Sequence, residues 1–184
     1  MRVIILQDYK HISEWVAKFI HLKITNSSKL VLGLPTGSTP LGVYKNIVNM
    51  KTDFTNVTTF NMDEYIGLPP EHEQSYNYFM NHNLFNKINI DKNNINIPNG
   101  TSDDIEKECI NYENKITNCG GIDLFLCGIG TDGHIAFNEP GSSFSSTTRV
   151  KTLTSETVND NSRFFNNIDE VPKTAITVGI KTIL

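Results

Sequence analysis

Three apolar runs of strand length each break off into glycine, hydroxyl or carboxylate residues, and this pattern constrains the fold more than any other feature. Lys29 to Leu34 runs into Pro35-Thr36-Gly37-Ser38-Thr39-Pro40. Asn56 to Met62 runs into Asp63-Glu64-Tyr65. Ile122 to Cys127 runs into Gly128-Ile129-Gly130-Thr131-Asp132-Gly133-His134. Open α/β sheets bind ligands in the crevice outside the carboxyl ends of their strands. Chemistry is therefore expected in the three loops, and structure in the runs that feed them.

The intervening segments carry helical periodicity. Ile12, Trp15, Val16, Phe19, Ile20 and Ile24 form one apolar stripe after Asp8, a ready cap. Trp15 is expected in the core. Val43, Tyr44, Ile47 and Val48 continue a helix whose first position suits Pro40 and whose cap suits Thr39. Residues 74–85 look helical. A further helix starts at Ser102 or Asp103, carries Ile105, Cys109, Tyr112 and Ile116 on one face, and ends at Gly120-Gly121. Arg2 to Leu6, Ile95 with Ile97, Arg149 to Leu153 and Ala175 to Val178 read as further strands, and residues 161–165 as a polar, mobile segment. Strand and helix alternate at short spacing. The expected fold is α/β, an open, mostly parallel Rossmann-like sheet with helices on both faces, in a single domain over residues 1–184.

Composition excludes several classes. With 20% charged residues and a net charge of -4, no basic stripe is present to collect nucleic-acid phosphates. No stretch approaches 18 consecutive apolar residues, and the N-terminal run is too short for a signal peptide. Three cysteines without a C-x-x-C spacing suit reduced thiols in a cytoplasmic protein.

The third loop is the richest. Asp132 lies two residues from His134, and Glu139 follows five later; a carboxylate beside an imidazole sets its tautomer and raises its basicity. Gly128, Gly130 and Gly133 also spell the dinucleotide fingerprint G-x-G-x-x-G. That fingerprint needs a helix to open at its third glycine, and Asn138-Glu139-Pro140-Gly141 is poor helix material. In the first loop, Thr36, Gly37, Ser38 and Thr39 before a helix N-terminus suit an anion, although a capped turn with a convenient proline has the same signature. Asp63 and Glu64, two carboxylates at a strand's carboxyl end, are both expected to point into the crevice, although Asp63 also fits a turn cap.

Together, residues 34–40, Phe60-Asn61-Met62-Asp63-Glu64-Tyr65, Asp132-Gly133-His134-Ile135-Ala136-Phe137-Asn138-Glu139-Pro140 and Asn161-Ser162-Arg163-Phe164-Phe165 closely resemble the glucosamine-6-phosphate deaminase family. The resemblance implies conversion of glucosamine 6-phosphate and water to fructose 6-phosphate and ammonium, with no metal and no organic cofactor. It makes Asp63 the base that moves a proton from C2 to C1 and His134 the group that opens the sugar ring. Asp132 and Glu139 would hold His134. Thr36, Gly37, Ser38, Thr39 and Arg163 would bind the substrate. It also implies a cytoplasmic homo-oligomer, a hexamer in regulated members, with an allosteric N-acetylglucosamine 6-phosphate site matched by Ser142, Ser143, Arg149 and Lys151.

Two other readings remain at this stage: a 6-phosphogluconolactonase-like enzyme of the same superfamily, and a chain that binds sugar phosphate without turnover. The family's chains are longer, so the C-terminal part of its fold, including a phosphate-binding lysine, is expected to be missing here, with an exposed apolar strand edge and aggregation as the consequence.

Overall fold

In the computed structural model, which describes residues 2–130 and 132–184, the alternating runs resolve into two sheets and six helices among the described residues. In chain order these are α1 (Tyr9–Thr25), β1 (Leu30–Leu34), α2 (Leu41–Asn49), β2 (Val57–Asn61), β3 (Asp63–Tyr65), α3 (Tyr76–Asn83), β4 (Ile95–Asn96) and α4 (Ile105–Asn118). They continue with β5 (Leu124–Phe125), β6 (Arg149–Thr152), α5 (Ser155–Asn161), β7 (Thr174–Thr177) and α6 (Ile180–Ile183).

The expected parallel sheet has the order β4-β2-β1-β5, and every pairing in it is parallel. Strand side chains alternate between faces, and β1 shows both. Leu30, Leu32 and Leu34 join a cluster with α1 and α2, whereas Val31 joins Phe60 and the α4 residues Tyr112 and Ile116 in a second cluster. Helices thus cover both faces. β1 lies between β2 and β5, so the chain leaves the sheet in opposite directions on its two sides. This is a topological switch point, and it puts the first and third loops at one crevice.

The second sheet was not foreseen. It is antiparallel, with the order β3-β7-β6. The chain passes from one sheet to the other at Met62, whose N–H donates to the Leu34 carbonyl and whose carbonyl accepts from Val178. Asp63 begins β3 one residue beyond that crossing.

Other expectations shift. Residues 2–6 form no strand, and Ile5 is 90% exposed; β-propensity reflects packing on a half-buried pleated surface, and this segment stays largely exposed. Trp15 is 39% exposed and stacks on Phe19 outside the core. The buried face of α1 is Ser13, Ala17, Ile20 and Ile24, because the apolar stripe is wider than the surface α2 and the sheet offer. The run that opens the third loop is a half-buried edge strand, since β5 has a neighbour on one side only. Residues 161–165, expected as a polar, mobile segment, instead end α5 and continue into a 3₁₀ turn, and the Thr154 side chain caps α5.

Tyr112 fastens the two layers. It is fully buried, edge-on to Phe60, and its hydroxyl donates to the Asn61 carbonyl at 2.7 Å, with the Asn96 carbonyl at 3.1 Å. Tyr112→Phe keeps the packing and removes the donor, so it is expected to cost about 1–2 kcal/mol of stability. A urea-unfolding midpoint equal to that of the parent chain would refute this.

Candidate active site

The crevice at the switch point is a cleft of about 610 Å³ lined from three directions. The 35–39 loop, Gly128, Gly130 and His134 come from the parallel sheet. Asp63 and Tyr65 come from β3, and Asn161, Arg163 and Phe165 come from the end of α5 and the turn after it.

Asp63 and Glu64 are adjacent in sequence but point apart, because a strand sends successive side chains to opposite faces. Glu64 Oε1 accepts the N–H groups of Tyr65 and Tyr76, both at 2.9 Å, and Oε2 accepts that of Asn77 at 2.8 Å. It therefore satisfies the start of α3 and is used up in doing so. Burial pushes its pKa to about 6 against the pull of those N–H groups. Asp63 lines the cleft, is 7% exposed, and has no hydrogen-bond partner among the described residues. Burial, and then the charge of Glu64, push its pKa up to about 8. A carboxyl with no structural partner and a pKa near neutrality has the properties required of a general base.

His134 Nδ1 lies 2.6 Å from Asp132 Oδ1, which also accepts the His134 backbone N–H at 3.2 Å. That N–H, together with the imidazole, outweighs a smaller cost of burial and holds the Asp132 carboxyl below its usual range. A charged carboxylate at Nδ1 requires the proton there, which leaves Nε2 free for a ligand. The loop is anchored from below. Asn138 Nδ2 donates to the Val178 carbonyl at 2.8 Å, and the Phe137 N–H donates to Thr177 Oγ1 at 3.2 Å. Thr177 is itself the register partner of Asp63 across β3 and β7. Ala136 adopts φ 54°, the left-handed region that residues with a side chain rarely occupy. The tight turn closed by Asn138, whose backbone N–H and Nδ2 both donate to the Ile135 carbonyl, holds it there. No helix opens after Gly133, as a pyrophosphate would need; the described residues between β5 and β6 form turns.

Glu139 departs from expectation. No hydrogen bond or ion pair joins it to His134. Its carboxylate accepts from Thr154 N and Thr157 Oγ1, each at 3.3 Å, and pairs with Lys151 Nζ at 3.4 Å. Burial would raise its pKa, but the Thr154 hydrogen bonds and the Lys151 ammonium prevail and lower it. Proline and glycine follow Glu139 at once and turn the chain toward β6, so its side chain meets that strand and the start of α5.

Thr36, Gly37, Ser38 and Thr39 line the cleft as expected. α2 starts one residue later than anticipated. Pro40 takes the cap position and no side chain of the loop caps the helix, because Tyr9, from α1, reaches the Gly42 N–H instead. Arg163 also lines the cleft, its guanidinium 4.8 Å from the Phe164 ring. Ser142, Ser143, Arg149 and Lys151 lie on the turns before β6 and on β6 itself. Ser143 bonds Ser145, Arg149 donates to the Thr147 carbonyl, and Lys151 serves Glu139. Reading by sequence missed Tyr76 on the aromatic wall and Tyr9, and it placed Glu64 in the crevice beside Asp63, whereas the pleat turns Glu64 away onto α3. Their roles depend on partners from 12 to 61 residues away.

The chain matches the family model of the glucosamine-6-phosphate isomerases and 6-phosphogluconolactonases over residues 8–183. It is 56% identical to the glucosamine-6-phosphate deaminase of Phocaeicola vulgatus and 55% identical to that of Bacteroides thetaiotaomicron. Each match spans all of this chain, and 74% and 72% of the respective relative. The chain belongs to the glucosamine-6-phosphate deaminase family. A solved structure described as a monomeric glucosamine-6-phosphate deaminase superposes with a TM-score of 0.98 at 43% identity, over all of this chain and 78% of that one. The 6-phosphogluconolactonase of Thermotoga maritima superposes at 0.74 with 20% identity, over 96% of this chain and 76% of that one, and so shares the fold. Within the deaminase family the cleft, with its buried carboxyl, paired imidazole and hydroxyl loop, is the candidate active site. No helix among the described residues is long and apolar enough to cross a membrane.

Proposed function

We propose that this chain converts glucosamine 6-phosphate and water into fructose 6-phosphate and ammonium. The observation that carries the reading is the convergence, on one cleft, of an unpartnered buried carboxyl at Asp63 and the Asp132-held imidazole of His134. His134 Nε2 shuttles a proton between the anomeric hydroxyl and the ring oxygen, which opens the sugar. Asp63 takes the proton at C2 of the open chain, giving an enolamine, and returns a proton to C1. The C2 iminium that results adds water and releases ammonium, leaving the ketose. Every proton taken is given back, and the net consumption is one water.

The phosphate is held by the 36–39 loop and by Arg163, whose guanidinium suits phosphate oxygens. Glu139 acts as a brace that ties the His134 loop to α5 and β6. Cys109, Cys119 and Cys127 are free thiols, which fits a reducing cytoplasmic setting. Assays of ammonium release from glucosamine 6-phosphate and of 6-phosphogluconolactone hydrolysis, on the same purified chain, test the assignment. Release of ammonium without lactone hydrolysis is the expected result, and lactone hydrolysis alone would overturn it.

The same family carries a second proposal. Ser142, Ser143, Arg149 and Lys151 form an effector site for N-acetylglucosamine 6-phosphate between subunits of a homo-oligomer. It is supported by the direct link from Lys151 to Glu139 in the active-site loop. The solved relative described as monomeric sets the opposing case. Sedimentation and the substrate KM with and without that sugar phosphate decide between them.

A further inference from the structure

We propose that Tyr9 is a positioning residue for phosphate binding, and that it sets the geometry of the 36–39 loop from outside the cleft. The inference rests on the assignment of that loop to the substrate phosphate. Tyr9 opens α1, follows the capping Asp8, and touches none of the cleft. Its hydroxyl nonetheless occupies a central place in the loop's hydrogen bonding. It donates to the Thr39 carbonyl at 3.0 Å, with the Ser38 carbonyl at 3.4 Å, and accepts the Gly42 N–H at 2.8 Å. A phenol is both donor and acceptor, so one atom here satisfies groups on each side of Pro40.

The approach depends on Gly42. A Cβ there would lie 2.3 Å from Ser13 Oγ and 3.0 Å from the Tyr9 hydroxyl. Any larger residue would push α1 off α2 and pull the phenol out of reach. The effect on the loop follows from peptide geometry. Cis peptides are absent among the described residues, and in a planar trans peptide the carbonyl and the N–H point in opposite directions. The Ser38 carbonyl is held toward Tyr9, which fixes the plane of the Ser38–Thr39 peptide and with it the direction of the Thr39 N–H. Pro40 has no N–H, and the Leu41 N–H is committed to the Ser38 carbonyl at 3.4 Å. Few donors are thus left to meet an anion, and their direction depends on the phenol. Without it the Thr39 carbonyl loses this donor and the Ser38 carbonyl keeps only the long Leu41 contact, so the peptide planes that present the loop to a phosphate are held less firmly.

Tyr9→Phe keeps the ring of a residue already half exposed and deletes only the hydroxyl. Titration calorimetry with fructose 6-phosphate, and separately with inorganic phosphate, reads the effect without requiring turnover. The proposal expects both dissociation constants to rise about tenfold. In the ammonium assay KM is expected to rise by the same factor while kcat stays within about twofold, as for lost binding common to the ground and transition states. Equal affinities in variant and parent, or a fall in kcat at unchanged KM, would overturn the proposal; so would a lower unfolding midpoint with no change in either dissociation constant. A parent chain that binds fructose 6-phosphate but releases no ammonium would refute the deaminase assignment and leave the Tyr9 comparison decisive.

Discussion

Asp63→Asn is expected to lower kcat for ammonium release by about 100- to 10,000-fold, the range for loss of a general base. Asparagine matches the carboxyl in shape, so KM and the folded structure should change little. A kcat within tenfold of the parent would remove Asp63 from the mechanism. The same substitution makes a second, independent prediction. Burial and the charge of Glu64 raise the Asp63 pKa from its ordinary 3.8 to about 8. Between those values the native chain keeps a proton that the unfolded chain gives up. The unfolded state binds fewer protons there, so this group makes stability fall as pH rises from about 4 to about 8. Asparagine cannot ionise and escapes that loss. The thermal midpoint of Asp63→Asn should therefore exceed the parent's by a margin that widens from pH 5 to pH 9. Activity runs the other way, because the base must be charged to act: kcat/KM of the parent should climb as pH approaches 8. One residue thus trades stability for reactivity, which is how function shows itself in an otherwise consistent structure.

His134→Asn has the other large expected effect, again a loss of about 100- to 10,000-fold in kcat. The imidazole is 38% exposed, and among the described residues its ring makes one hydrogen bond, to Asp132. Removing it should leave the unfolding midpoint close to that of the parent. A large activity loss at unchanged stability identifies a chemical role, whereas equal losses in both would mean that the histidine merely holds the loop. Asp132→Asn should cost less. An amide can donate or accept, so the tautomer is no longer enforced but the ring remains. Gly130 sets a limit on this arrangement from the other side. A Cβ there would lie 2.1 Å from His134 Cε1, so this position must stay glycine for the imidazole to lie where it does.

Much of the cleft was legible in the sequence, for a local reason. An apolar run that ends in Pro-Thr-Gly-Ser-Thr-Pro, or in Gly-Ile-Gly, carries its own stop signal, and loops at carboxyl ends of parallel strands converge whenever the strand order reverses. Asp132 and His134 could be paired because a side-chain carboxylate readily accepts from a group two residues on in a turn. Glu139 could not be assigned in the same way. It was grouped with His134 by nearness along the chain, but Pro140 and Gly141 turn the backbone, and it meets Lys151 and Thr154. Trp15 shows the same limit in a helix: periodicity identifies the apolar stripe, but the neighbouring surfaces decide how much of it is covered.

What the sequence by itself determined is therefore the main strand-helix alternation, the parallel sheet with helices on both faces, and the three loops that hold the chemistry. These follow from periodicity and from the backbone preferences of glycine and proline, which act over a few residues. Only the tertiary structure decided that the chain changes sheets at Met62. It alone decided that Glu64 is spent on α3 while its neighbour Asp63 stays unpartnered, and that a phenol from α1 holds the loop after β1. Each of those outcomes depends on a hydrogen-bond partner at least 13 residues away, and such partners are chosen by packing, which no local pattern encodes.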